Sequence, residues 1–305
     1  MAKKIFAIFI ILCIAGAGIH FGYKKVQERR QQQVQQSGKI DVAVSIYSLA
    51  YFTQKVGGDL VNVHLITPAG TEPHEYEPTP ADIITLETSK ALVYNGAGMD
   101  AWADRVAPEL GKKGIQILKM TDHMSTVPKN TTDPHIWLDP ILAHREIDTI
   151  VQLLDSLDPA HQGVFEQNAA QYLVELSQLD HDYRNALANC TLKEIVASHD
   201  AFSYMAERYH FTVHAITGIS PEAEPSAAQL ASLTRLVKTK HIPTIFFETL
   251  VSPKLAQTLA QEIGAVSAVL DPIEGLTAES AKAGTNYDIL MRENLVALQK
   301  ALLCH

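Results

Sequence analysis

Two pseudo-symmetric α/β lobes, each a mainly parallel sheet flanked by helices and joined by one long rigid linking helix, are the architecture this sequence predicts. Three observations predict it. From residue 40 onward, short apolar runs alternate with amphipathic helical patterns, the rhythm of a parallel sheet covered by helices. At residues 159–189 that rhythm gives way to uninterrupted helical spacing. It then restarts and continues to the C-terminus.

The elements follow in order. "DVAVSIY" and "VNVHLIT" read as strands, and "TPADIITLETSK" as a helix opened by Thr and Pro. "ALVYNG" and "IQILKM" are strands separated by the helical "DAWADRVAPEL", and "ILAHREIDTIVQLLDSLD" is a helix after "IWLDP". Asp158 can cap the next segment and Pro159 suits its first turn. Phe165, Ala169, Tyr172, Leu173, Leu176, Leu179, Tyr183, Ala186 and Leu187 then recur at helical spacing. Unbroken, that helix would be about 45 Å long at about 1.5 Å per residue, enough to run from one lobe into the next. "KEIVASH", "FTVHAIT", "TIFFE" and "VSAVLD" are the second set of strands. Helices are expected at "DAFSYMAERY", "SAAQLASLTRLVKTK", "PKLAQTLAQEIG" and "NYDILMRENLVALQKALL".

The expected divisions are therefore 1–23, 24–39, 40–158, 159–189 and 190–305. Residues 1–23 pair Lys3 and Lys4 with the apolar "IFAIFIILCIAGAG", the build of a secretory signal with "AGA" as a cleavage site. Read on to Tyr23, the run is nearly long enough for an uncleaved membrane anchor; lipid attachment at Cys13 is a third option, with Leu12 where a small residue is expected. All three options export the rest of the chain. "KKVQERRQQQVQQSG" reads as a polar tether. Cys190 and Cys304 would then meet an oxidising compartment, either paired or as two buried thiols. A net charge of −9 without a Lys/Arg block in the body argues against a nucleic-acid partner.

Four polar residues stand after the carboxyl ends of strands, the edge where open α/β sheets bind ligands. His74 lies in "GTEPHEYEPTP", a loop stiffened by Pro73, Pro78 and Pro80. His135 lies in "DPHIWLDP", His199 ends "KEIVASH", and Asp271 ends "VSAVLD". Three imidazoles and a carboxylate make a four-coordinate set suited to a divalent transition metal. Each also has an ordinary role open to it: a surface turn for His74, a buried carbonyl-bonded histidine for His135, a helix cap for His199, a turn for Asp271. Glu72, Glu75 or Glu77 can accept the second imidazole N–H of His74, or can form a solvated acidic rim. Glu248, ending "TIFFE", can support a ligand or replace Asp271. His64, His123, His144, His161, His181, His210, His214, His241 and His305 lack this placement and read as structural or surface residues.

"TPAGTEPHEYEPTPADI", "DPHIWLDP", "ASHDAFSYMAERY", "GISPEAEPSAAQL", "FFETLVSPKLAQTLAQEIG" and "VLDPIEGL" resemble, in this order, the motifs of zinc- and manganese-specific solute-binding proteins of ABC importers. The resemblance covers residues 40–303. It implies one metal held between two lobes, with ligand roles on His74, His135, His199 and Asp271. It also implies an exported, monomeric, non-enzymatic protein that hands its metal to a separate permease and ATPase at the outer face of the cytoplasmic membrane. Zinc-type members carry histidine where this chain has His199, and manganese-type members a carboxylate, so zinc is expected and manganese is the alternative. Imidazole suits zinc for the same reason. The long His- and Asp-rich loop of many zinc-specific relatives is missing here; the interval holds one further histidine, His123.

Other classes fit less well. The chain has no second hydrophobic span and no G-x-x-x-x-G-K-[ST] loop, so it carries no transport machinery of its own. A secreted zinc hydrolase would keep three protein ligands and an open position, whereas four ligands are expected here and no H-E-x-x-H occurs. A surface adhesin role, ascribed to some members of the resembling family, leaves no mark by which sequence could exclude it.

Overall fold

Val, Ile and Ala runs become strands at the expected places. The structure, a computed structural model, describes residues 38–124 and 133–305. In the first half, β1 (Ile40–Val44), β2 (Val61–Leu65), β3 (Ala91–Tyr94) and β4 (Gln116–Lys119) form a four-stranded sheet in the order β2-β1-β3-β4. In the second half, β5 (Glu194–Ala197), β6 (Thr212–Ala215), β7 (Thr244–Phe247) and β8 (Val266–Val269) repeat that order as β6-β5-β7-β8. All pairings among the described strands are parallel. Inner strands are apolar on both faces because helices cover both, and Val42, Ala43, Val44, Leu92 and Val93 are wholly buried.

Several of the helices between them begin at encoded caps. After α1 (Tyr47–Gly57) comes α2 (Pro80–Thr88), opened by a capping box between Thr79 and Asp82. α3 (Ala101–Lys112) follows β3, and α4 (Pro140–Leu157) starts where Asp139 accepts the backbone N–H groups of Ile141 and Leu142. In the second half, α6 (Ser203–Tyr209) follows β5, and α7 (Ala227–Lys240) carries a Ser226–Gln229 capping box. α8 (Lys254–Ile263), the short α9 (Ala278–Ala283) and α10 (Tyr287–Ala301), capped by Asn286, complete the chain. His210 and His241 close α6 and α7 in the left-handed conformation at φ 61° and 53°, a position that histidine tolerates better than most side chains.

The linking helix, α5 (Gln162–Leu187), starts three residues later than expected. Pro159–His161 wind as a 3-10 turn, and the Asp158 carboxylate pairs with the His161 ring instead of capping a longer helix. Its 26 residues span about 39 Å. Phe165, Ala169, Tyr172, Leu176, Leu179, Tyr183 and Leu187 make its buried stripe. That stripe packs on α1 and α4 of the first half and on α10 of the second, within one continuous apolar core. Polar ties reinforce the junction. The Tyr51 and Tyr172 hydroxyls both donate to Asp288, at 2.5 and 2.9 Å, and the Lys55 ammonium lies 4.6 Å from the centre of the Tyr172 ring. Ile40–His305 accordingly form one compact unit.

Cys190 and Cys304 form a disulfide across a sequence separation of 114. It joins the segment just after α5 to the chain's last residues, where the two cysteines also pair as an antiparallel bridge. The expected signal or anchor at 1–23, Cys13, and the tether as far as residue 37 lie outside the described residues. Among the described residues, no helix is long and apolar enough to cross a membrane.

Candidate metal centre

Four loops at the carboxyl edges of the two sheets bring their donors to one place. His74 sits in the loop between β2 and α2. Glu72 folds back there to accept the backbone N–H groups of His74 and Glu75, at 3.2 and 3.1 Å. The acidic residue thus shapes the loop that carries His74. Glu75 is exposed, and Glu77 pairs with Arg105. His135 opens the 3-10 turn Ile136–Leu138. Asp133 Oδ1 accepts both its backbone N–H, at 3.0 Å, and its ring Nδ1–H, at 2.8 Å. His199 follows β5, and its Nδ1 lies 2.9 Å from Glu248 Oε1, which also accepts the Ser198 hydroxyl at 2.7 Å. A carboxylate on Nδ1 fixes the tautomer and turns the Nε2 lone pair inward.

The fourth donor is Glu274. One donor atom each from His74, His135, His199 and Glu274 lie within 4.8 Å of one another. Glu274 Oε1 is 3.1 Å from His135 Nε2, 3.1 Å from His199 Nε2 and 3.6 Å from His74 Nε2, and the His135 and His199 Nε2 atoms are 3.2 Å apart. A tetrahedral zinc with bonds of about 2.0–2.1 Å would set neighbouring donors roughly 3.3 Å apart. The three distances among Glu274 Oε1, His135 Nε2 and His199 Nε2 match that spacing, and His74 Nε2 lies slightly farther from Glu274. His74 Nε2 and Glu274 Oε2 are buried without a hydrogen-bond partner among the described residues, a costly arrangement that a shared cation would offset.

The charges agree. Burial pushes Glu274 up, but the imidazoles of His135, His199 and His74 outweigh it and hold the carboxyl well below the usual range. Burial also opposes a charge on His199, yet Glu248 and Glu274 raise it to about 10. His135 is raised against the same burial by Asp133 and Glu274. Burial, then the neighbouring charge of Glu274, pushes Glu72 up to about 8.

The structure brings three of the four expected ligands together and places Asp271 elsewhere. Its Oδ2 accepts the Thr249 hydroxyl and its Oδ1 the backbone N–H of Ile273, both at 2.8 Å. Asp271 builds the turn; Glu274, three residues on, enters the site. Glu248, weighed as an alternative oxygen donor, stands behind His199 instead. Asp-Pro is a turn signal in its own right, and Glu274 is a lone acid between apolar residues in "PIEGL". Those were the available signs for Glu274; Asp133, two residues before His135, offered none beyond proximity.

The model of the family described as zinc-uptake complex component A, periplasmic, matches residues 42–301. The chain belongs to that family. It is 38% identical over 284 residues to the zinc-binding lipoprotein AdcA of Streptococcus pneumoniae, covering 88% of this chain and 57% of the relative. The chain thus spans little more than half of that relative's length. It is 35% identical over 281 residues to the high-affinity zinc uptake system protein ZnuA of Bacillus subtilis, covering 87% of this chain and 88% of that one. The crystal structure of the Zn(II)-bound ZnuA-like domain of Streptococcus pneumoniae AdcA is similar, with a TM-score of 0.78 at 40% identity over 87% of this chain and 99% of that one.

This member of the zinc-uptake component family should bind its metal in a pH-dependent way. Metal-free His199 and His135 hold protons more tightly than ordinary histidines, and a metal accepts only the neutral ring. Loading at pH 7 must therefore release protons, and affinity should fall about tenfold for each unit by which pH is lowered, per proton displaced. Calorimetry in buffers of different ionisation enthalpy should count at least one proton per zinc. An affinity constant from pH 6 to pH 8 would contradict the protonation assigned here.

Proposed function

We propose that this protein is the extracytoplasmic solute-binding component of an ABC zinc importer. It captures Zn2+ between lobes 40–158 and 190–305, on either side of the linking helix at 159–189, and passes it to a membrane permease driven by a separate ATPase. His74, His135, His199 and Glu274 are the ligands. Glu248 and Asp133 orient two of the rings, and Glu72 shapes the loop of a third. The observation that carries this reading is the convergence of four donors within 4.8 Å of one another, one from each of four strand-end loops.

Three imidazoles favour zinc over manganese, which prefers oxygen donors and a higher coordination number. The same closed set disfavours a hydrolase, because a catalytic zinc keeps a position for water. The family membership and the zinc-bound relative support export and zinc as cargo. One compact unit built along a single helix supports capture by small lobe movements rather than wide hinge closure.

The test is elemental analysis of the full chain after chelator stripping, reloading from equimolar zinc and manganese, and desalting. About one zinc per chain is expected, as the ligand set predicts. Bound manganese would overturn the metal assignment, and no bound metal would overturn the reading altogether.

A further inference from the structure

The segment that presents Glu274 is held in an unusual way. Asp271 is fixed to α10 in both directions: its N–H donates to Asn294 Oδ1 at 2.8 Å, and Asn294 Nδ2–H donates to its carbonyl at 2.7 Å. Its side chain, bridged by Thr249, then receives the Ile273 N–H. Ile273 is a wholly buried β-branched residue at φ 55°. Isoleucine in that region is a genuine outlier, and such a conformation persists only where the surroundings over-determine it.

From there the segment is tied to the first half of the molecule. Trp137 Nε1–H donates to the Pro272 carbonyl at 2.8 Å, Tyr47 N–H to the Glu274 carbonyl at 3.2 Å, and Gly70 N–H to the Leu276 carbonyl at 2.7 Å. Gly70 does this at φ 86°, where only glycine is free of strain. Trp137 is itself immobilised: it is wholly buried, its carbonyl accepts the Tyr287 hydroxyl at 2.6 Å, and its ring packs 5.4 Å from that of His135.

We propose that Asp271 and Trp137 are positioning residues for Glu274: the Asp271 turn forces Ile273 into the left-handed conformation, and the Trp137 indole pins the Pro272 carbonyl, so that Glu274 faces the three histidines. This deepens the zinc-site reading above and rests on it. Neither side chain touches the metal; both act through one carboxylate. The buried, strained residue directly before Glu274 is the cost of aiming it, and the two anchors just before that residue hold it there.

The test is a pair of double-mutant cycles on the full chain, with Trp137→Phe and Asp271→Asn each made alone and together with Glu274→Gln. Zinc affinity is read by chelator competition, and the visible spectrum of the cobalt-loaded protein reports the coordination. Glu274→Gln alone should weaken zinc. Each positioning variant alone should weaken it by about tenfold or more, the scale of a lost buried hydrogen bond, and shift the cobalt spectrum toward that of Glu274→Gln. On the Glu274→Gln background neither should have a further effect.

Equal losses on both backgrounds would overturn the positioning role while leaving the zinc site standing. An unchanged zinc affinity in Glu274→Gln would overturn the ligand assignment, and the positioning role with it. Should Asp271→Asn fail to fold, Thr249→Val, which removes only the bridge to Asp271 Oδ2, takes its place in the second cycle.

Discussion

His199→Ala is expected to bind zinc two to three orders of magnitude more weakly than the parent chain. Structural zinc sites bind with about 10–16 kcal/mol shared among four ligands, so one ligand carries roughly 3–4 kcal/mol, and about 1.4 kcal/mol is tenfold. The loss should sit at the upper end, because His199 is wholly buried between two carboxylates. Removing it leaves Glu248 with the Ser198 hydroxyl and Glu274 with one fewer imidazole, and a less well paired buried charge is costly.

The same substitution should destabilise the metal-free protein in a pH-dependent way. The His199 pKa is raised to about 10 in the fold from an ordinary value of about 6.5. Its contribution is therefore fully present below about pH 6.5 and disappears as pH rises through 10. Chelator competition gives the affinity, and thermal melts at pH 6 and pH 10 give the stability. Parent-like zinc affinity in the variant would remove His199 from the site.

Breaking the Cys190–Cys304 disulfide should cause the largest loss of stability of any single covalent change in the described chain. Under the loop-entropy model, a closed loop of this length constrains the unfolded state by about 5 kcal/mol, corresponding to roughly 10 °C in Tm for a protein of this size. The residues joined also hold α10 in place. Leu192 N–H donates to the Leu302 carbonyl at 2.9 Å, and Thr191 N–H to that of Leu303 at 3.2 Å. Zinc capacity should survive, because the bridge contacts none of the four ligands. The check is calorimetry of Cys190→Ser/Cys304→Ser beside the parent, each with and without zinc. An unchanged Tm would mean that the bridge adds nothing beyond those backbone bonds.

The fold was readable because short β-branched runs such as "DVAVSIY" alternate with longer segments of helical spacing such as "TIVQLLDSLD". The start of α5 was less so. Asp158 and Pro159 look like a cap and first turn, but His161 competes for the aspartate. At the centre, histidines at strand ends were legible as chemistry, since their placement is set by the chain's βα rhythm. The carboxylate that joins them was not. Asp271 and Glu274 stand three residues apart after the same strand, and which carboxylate turns inward depends on Thr249, Asn294 and Trp137, which lie far away in the chain. Strand-end spacing cannot resolve such a difference. Glu248 illustrates the converse: its strand-end position was visible, but its contact with His199 was not.

The ligands' spread along the chain has a consequence for the order of events in the protein's life. His135 and His199 are 64 residues apart, His199 and Glu274 75, and His135 and Glu274 139. In a zinc finger, neighbouring ligands let the ion organise the chain around itself. Here the first sheet positions His74 and His135, and His199 and Glu274 join them only through the second, so the full set of four donors is expected to follow folding. An unfolded chain, with these donors 64 and 75 residues apart, is expected to hold zinc far more weakly than the folded protein.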